Sequence, residues 1–117
     1  MSLRIGISAL VGLALLGCAS SSIQPLTQRT FAPKPENCKL FVYSDAAKVE
    51  RKYFEIALIT HKTPQDAFSD KGAAAITSAM SAEACQLGAD GIILKAMTQG
   101  SWGDPGNGTA VAIRFGE

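Results

Sequence analysis

The sequence predicts a small two-layer α+β domain. Its four-stranded sheet carries one main helix on one face, in the order β-β-α-β-β. Three observations carry this. Residues 53–60 (YFEIALIT) and 109–115 (TAVAIRF) alternate at strand period. Ile76, Met80, Ala84 and Leu87 recur at helical spacing and share one face. Runs rich in Gly, Pro, Asn and Asp separate these segments. One helix can cover one face of four strands, which is enough to enclose a core.

The elements follow from residue 38 onward. Lys39-Leu40-Phe41-Val42-Tyr43 is a short β-rich run, and Ser44 to Lys52 is polar and turn-like. Tyr53 to Thr60 forms the second strand. Thr63-Pro64-Gln65-Asp66 resembles a capping box with proline at the first helical position. The helix is expected by Ser69 and to end near Leu87, with Gly72 able to break it and Gly88 suited to a left-handed stop. Gly91 to Met97 (GIILKAM) is the third strand. Gln99 to Gly108 (QGSWGDPGNG) is an irregular glycine-rich loop, and Thr109 to Phe115 is the fourth strand.

Alternation sorts the strand residues into two faces. Leu40, Val42, Phe54, Ile56, Leu58, Ile92, Leu94, Val111, Ile113 and Phe115 are expected to face the helix. The other face receives Phe41, Tyr43, Tyr53, Ala57, Ile59, Ile93 and Met97, diluted by Glu55, Lys95 and Arg114. It is too apolar for a wholly solvated surface, and such patches mark interfaces. Phe41, Tyr43, Tyr53 and Trp102 are therefore the candidates for binding a protein partner or a second copy. The bland alternative is that the linker or the glycine loop folds over this face with Trp102 as a lid.

The N-terminus reads as an address. One charge, Arg4, precedes an uncharged run from Ile5 to Gly17. A basic start, a short apolar core and small residues at its end make a secretory signal. Its 13 residues fall short of the roughly 20 that span a bilayer as a helix. Leu15-Leu16-Gly17-Cys18 resembles the lipobox of bacterial lipoproteins. That resemblance implies cleavage between Gly17 and Cys18 and acylation of Cys18, which anchors the chain without a transmembrane segment. Ala19 in place of Asp implies, for a Gram-negative host, the outer membrane with the domain facing the periplasm. The predicted organisation is a leader (1–17), an acylated flexible tether (18–37) and the domain (38–117). The tether holds three serines and three prolines, and its 19 residues after Cys18 reach at most about 65 Å. Within it, Phe31 either docks on the domain or is exposed.

The domain also resembles a family. Val42-Tyr43 and Glu50-Arg51-Lys52-Tyr53-Phe54-Glu55-Ile56-Ala57-Leu58-Ile59 resemble the strand pair of small bacterial lipoproteins related to the Rcs envelope-stress sensor lipoprotein. Ala84-Cys85-Gln86-Leu87-Gly88-Ala89-Asp90-Gly91-Ile92-Ile93 is similar to their alanine-rich helix, GAD turn and apolar strand. The resemblance spans nearly the whole chain and implies a non-catalytic interaction module in envelope-stress sensing or maintenance. It departs at the cysteines. The Rcs sensor carries four in its domain, and this domain carries Cys38 and Cys85.

Little else suggests chemistry. The net charge is +1, and removing Arg4 with the leader balances the basic and acidic residues, so no electrostatic footprint for nucleic acid exists. One histidine makes a multi-histidine metal site or a histidine-based triad unsuited to this chain. No G-x-S-x-G elbow and no Walker lysine occur. The expectation is no enzyme, no metal and no cofactor beyond the covalent lipid. With Cys18 acylated, Cys38 and Cys85 form an even pair in an oxidising compartment. A disulfide, two buried thiols and an exposed reactive cysteine are all compatible with the residues. At 100° per residue Cys85 lies opposite Ile76, so a bridge requires the preceding segment to cross the helix back. The alternative function is a ligand- or metal-binding lipoprotein using Cys38, Cys85 and His61.

Overall fold

The structure, a computed structural model, describes residues 20–64, 70–101 and 103–116. The elements in chain order are β1 (Ser20–Pro25), β2 (Phe41–Tyr43), a single 3-10 turn (Ala46–Lys48), β3 (Tyr53–Lys62), α1 (Ala73–Gln86), β4 (Gly91–Thr98) and β5 (Asn107–Phe115). The class is α+β with one main helix, as expected, but the sheet has five strands, in the order β1-β3-β5-β4-β2. The extra strand is β1, from the segment expected to be a flexible tether. Ser20 pairs with Lys62 and Pro25 with Ala57, antiparallel along the edge of β3. Three consecutive serines read as linker, yet a sheet edge needs backbone donors and acceptors more than apolar side chains. Ile23 packs on the core, and Pro25 sits at the end of the strand, where a missing N–H costs least.

β2 pairs with β4 in parallel. This is possible because α1 and the intervening chain make the long crossover that a parallel pair requires. The pairs β3–β5 and β4–β5 are antiparallel.

The helix covers one face. Ile76, Met80 and Ala84 are buried among Ala57, Ile59, Ile92, Ala110 and Ala112. On β5 the helix-facing residues are Gly108, Ala110 and Ala112, while Val111, Ile113 and Phe115 lie in a separate cluster with Ile93, Leu58, Tyr43 and Tyr53. This reverses the faces expected for β5. The reason is proximity: a Cβ on Gly108 would stand 2.6 Å from Ile76 Cγ2, so the helix approaches only over small residues. On β3 and β4 the register shifts between Glu55 and Ala57, and between Leu94 and Ala96. Each bulge inverts the alternation beyond it. Ala57, Ile59 and Met97 therefore join the helix side, and Leu58 leaves it.

The helix begins at Ala73, with Gly72 as its N-cap. Residues 65–69, including Gln65 and Asp66 of the expected capping box and Ser69, lie outside the described residues. The Thr63 hydroxyl accepts from the Gly106 amide at 2.8 Å, and the Thr63 amide donates to the Gly106 carbonyl at 2.9 Å. Thr63 therefore clamps the β4–β5 loop to the end of β3. At its other end the helix stops as predicted. Gly88 has φ of +80°, the Ala89 amide returns to the Ala84 carbonyl and the Gly88 amide to that of Cys85. That double bond pattern closes a helix end with a left-handed residue.

Candidate functional site

Of the four residues expected to bind a partner, the structure gathers three. Phe41 and Tyr43 alternate along β2 on one side of the sheet. Their rings stack at 6.2 Å between centroids, and Phe41 meets Phe115 edge-on at 5.5 Å. Tyr53 pairs with Phe115 across the β3–β5 ladder. Phe115 was expected to face the helix; the face reversal makes it the link between the two tyrosine-bearing strands. Arg51 lies 3.8 Å from the centroid of the Phe115 ring, a cation–π contact. Ala46 of the 3-10 turn and Val49 just after it cover part of this face.

The patch stays open at its margin. Phe41 is 55% exposed, and Val42, on the opposite side of β2 and expected to face the helix, is 47% exposed instead of buried. β2 ends the strand order, so its outer backbone edge pairs with no strand among the described residues. Exposed apolar side chains on an unpaired edge form a surface that natural sheets generally avoid.

The fourth candidate, Trp102, lies outside the described residues. Its neighbours Ser101 and Gly103 are in the loop after the C-terminal end of β4, whereas β2 pairs with residues 91–93 at the other end of that strand. The loop therefore starts from the opposite end of the sheet from Phe41. Gly17 and Cys18 also lie outside the described residues.

Cys38 and Cys85 are joined in a disulfide, with Cα atoms 5.9 Å apart. The chain reaches it by the route the helix geometry demands. Residues 31–38 run across the C-terminal turn of α1. The Lys34 amide donates to the Cys85 carbonyl at 2.8 Å, and Gln86 Nε2 donates to Glu36 Oε2 at 3.0 Å. Phe31 docks: it packs on the core and lies 6.0 Å from the Phe54 ring. Both sulfurs are thus engaged with each other, and a bridged sulfur is not a thiolate ligand. His61, near the end of β3, is buried, at 8% exposed. Its Nδ1 is 2.9 Å from Ser21 Oγ. Burial lowers its pKa below the ordinary value, against a weaker upward pull from Glu83. Neutral imidazole is the form that suits this packing. Among the described residues no three His, Cys, Asp or Glu side chains gather at metal-binding distance.

The GADG turn does more than return the chain. Lys34 Nζ contacts Asp90 Oδ1 at 2.8 Å and the Ala89 carbonyl at 2.8 Å. Asp90 Oδ2 accepts from the Phe115 amide at 2.9 Å. Burial pushes the Asp90 carboxyl up, but Lys34, the Phe115 amide and Arg114 together outweigh it and leave the pKa below the ordinary value.

One solved structure shares this architecture. It is the crystal structure of a Francisella virulence factor, FvfA, with a TM-score of 0.53 and 12% identity, covering 80% of this chain and 96% of that one. At that identity the likeness is one of fold. No protein-family profile matches the chain, and no curated protein sequence matches it.

Proposed function

We propose that this protein is a lipid-anchored, non-catalytic interaction module that binds a protein partner through the β2 edge. The observation that carries this is the combination of exposed Phe41 and Val42 with an unpaired strand edge. Such an edge accepts an added strand through its backbone, while the neighbouring rings select side chains. Aromatic residues are the usual anchors of such surfaces. The Leu15-Leu16-Gly17-Cys18 sequence supports attachment through acylated Cys18, and Ala19 supports the outer membrane, facing the periplasm. The resemblance to Rcs-related lipoproteins supports a role in envelope-stress sensing or maintenance. The reading with Cys38, Cys85 and His61 as a metal or ligand site loses support, because the disulfide takes both sulfurs.

The test is site-specific photocrosslinking in cells producing the full chain, with the probe at Val42 and a control at Thr60 on the exposed side of β3. A discrete adduct is expected from Val42 alone. Phe41→Ser should abolish it while leaving abundance and the disulfide unchanged. Equal adducts from both positions, or an adduct insensitive to Phe41→Ser, would reject the β2 edge as the binding surface.

A further inference from the structure

The segment that crosses the helix builds a second feature, separate from the aromatic patch. Between β1, residues 26–31 and the C-terminal end of α1 lies a cleft of about 610 Å³. That volume falls within the roughly 300–1,000 Å³ of small-molecule sites. Its walls are mainly aliphatic and aromatic: Ile23 from the edge strand, Phe31 from the crossing segment, Ile56 at the bulge of β3 and Leu87 at the helix end. Ile56 is buried, whereas Ile23, Phe31 and Leu87 are half-buried. They present apolar surface to the opening.

The polar lining is specific in sign. Arg29 is its one charged residue, and no Asp or Glu lines the cleft. The guanidinium lies 5.1 Å from the ring centroids of both Phe31 and Phe54, so the two rings hold it beside the apolar wall. Among the described residues the ion pair formed is Lys34–Asp90, which does not involve Arg29. A planar guanidinium held on a ring face keeps its N–H donors available, and their fork matches a carboxylate.

The geometry points to a binding site for a single-chain aliphatic carboxylate, with its tail against Ile23, Ile56 and Leu87 and its head on Arg29. The bridge Cys38–Cys85 and the Lys34 bonds hold the wall that carries Arg29 and Phe31 against the helix end. The site therefore belongs to the oxidised protein.

The test uses the full chain isolated from membranes and reconstituted in nanodiscs. Two probes are compared: dodecanoate bearing a diazirine on its chain, and the matching dodecanol. After irradiation, peptide mapping should place dodecanoate adducts within residues 23–31, 56–57 and 86–87. Arg29→Gln, an exposed substitution that leaves the core intact, should lower the dodecanoate adduct by about tenfold, the worth of a charge-assisted contact. It should leave the weaker dodecanol adduct unchanged. Leu87→Trp, which fills the cleft, should remove both, with retention of the disulfide checking its fold. Adducts confined to residues outside the cleft, equal labelling by the two probes, or labelling indifferent to Arg29→Gln would overturn the proposal. Phe41→Ser should leave the labelling unaltered, which separates this site from the partner edge.

Discussion

Asp90 shows how a turn residue can hold three parts of the chain. Its carboxylate binds Lys34 from the N-terminal segment and the amide of Phe115 at the end of β5, while its own amide donates to the Ile113 carbonyl. The ion pair is partly exposed, at 34% and 26% for the two side chains, so solvent weakens it. Asp90→Ala should still cost about 1–2 kcal/mol at neutral pH, because it leaves the Phe115 amide without its acceptor and Lys34 without its counter-charge. The pKa is lower in the folded state, so this stability is present above the ordinary value of 3.8 and is lost as pH falls through the folded value. Urea denaturation of wild type and variant should therefore show a gap at pH 7 that closes in acid; a constant gap would mean packing, not charge. Beside it, Gly88 is required twice over. Its positive φ closes the helix, and a Cβ there would stand 2.7 Å from the Ala32 carbonyl oxygen.

The elements are legible where one period governs them and not where a bulge resets it. The helix face Ile76, Met80 and Ala84 was readable because nothing interrupts its 3.6-residue repeat. In β3 the alternation starts correctly with Phe54 and inverts after the bulge, so Ala57 and Ile59 meet the helix. In β5 the bulky residues looked like the inward ones, yet the close helix required the glycine–alanine side. The crossing segment depends on a different constraint, the disulfide. Closing residues 38–85, a sequence separation of 47, contributes about 4 kcal/mol in the chain-entropy model. Cys38→Ser with Cys85→Ser should lower stability by about that amount and open the bond after Arg29 to trypsin. Unchanged cleavage in the double variant would show that hydrogen bonds alone hold the segment.

At the scale of the molecule, the folded unit begins earlier than its apolar patterning suggests. Residues 20–37 supply an edge strand, a core aromatic and one half of an ion pair. The boundary expected at residue 38 separates these from the sheet they complete. A fragment of residues 38–117 should unfold at lower denaturant than one of residues 20–117 and should self-associate, because it exposes the edge of β3. Equal midpoints and a monomeric fragment would restore the original boundary. The two proposed surfaces also become comprehensible at this scale. The aromatic edge lies on β2 at one border of the sheet, and the cleft lies beside β1 at the other.

By itself the sequence determined the class, the helix and its stop, three of the five strands nearly to their ends, the pairing partners available to the cysteines, and Phe41, Tyr43 and Tyr53 as a group. These follow from local period and turn chemistry, which act over a few residues. Only the tertiary structure decided which side of β5 meets the helix, that a serine-rich segment forms a strand, that Phe115 joins the aromatic patch and that Arg29 lines a cleft. Those outcomes depend on how closely a helix can approach a sheet and on backbone pairing between residues some forty positions apart, and neither leaves a periodic trace in the chain.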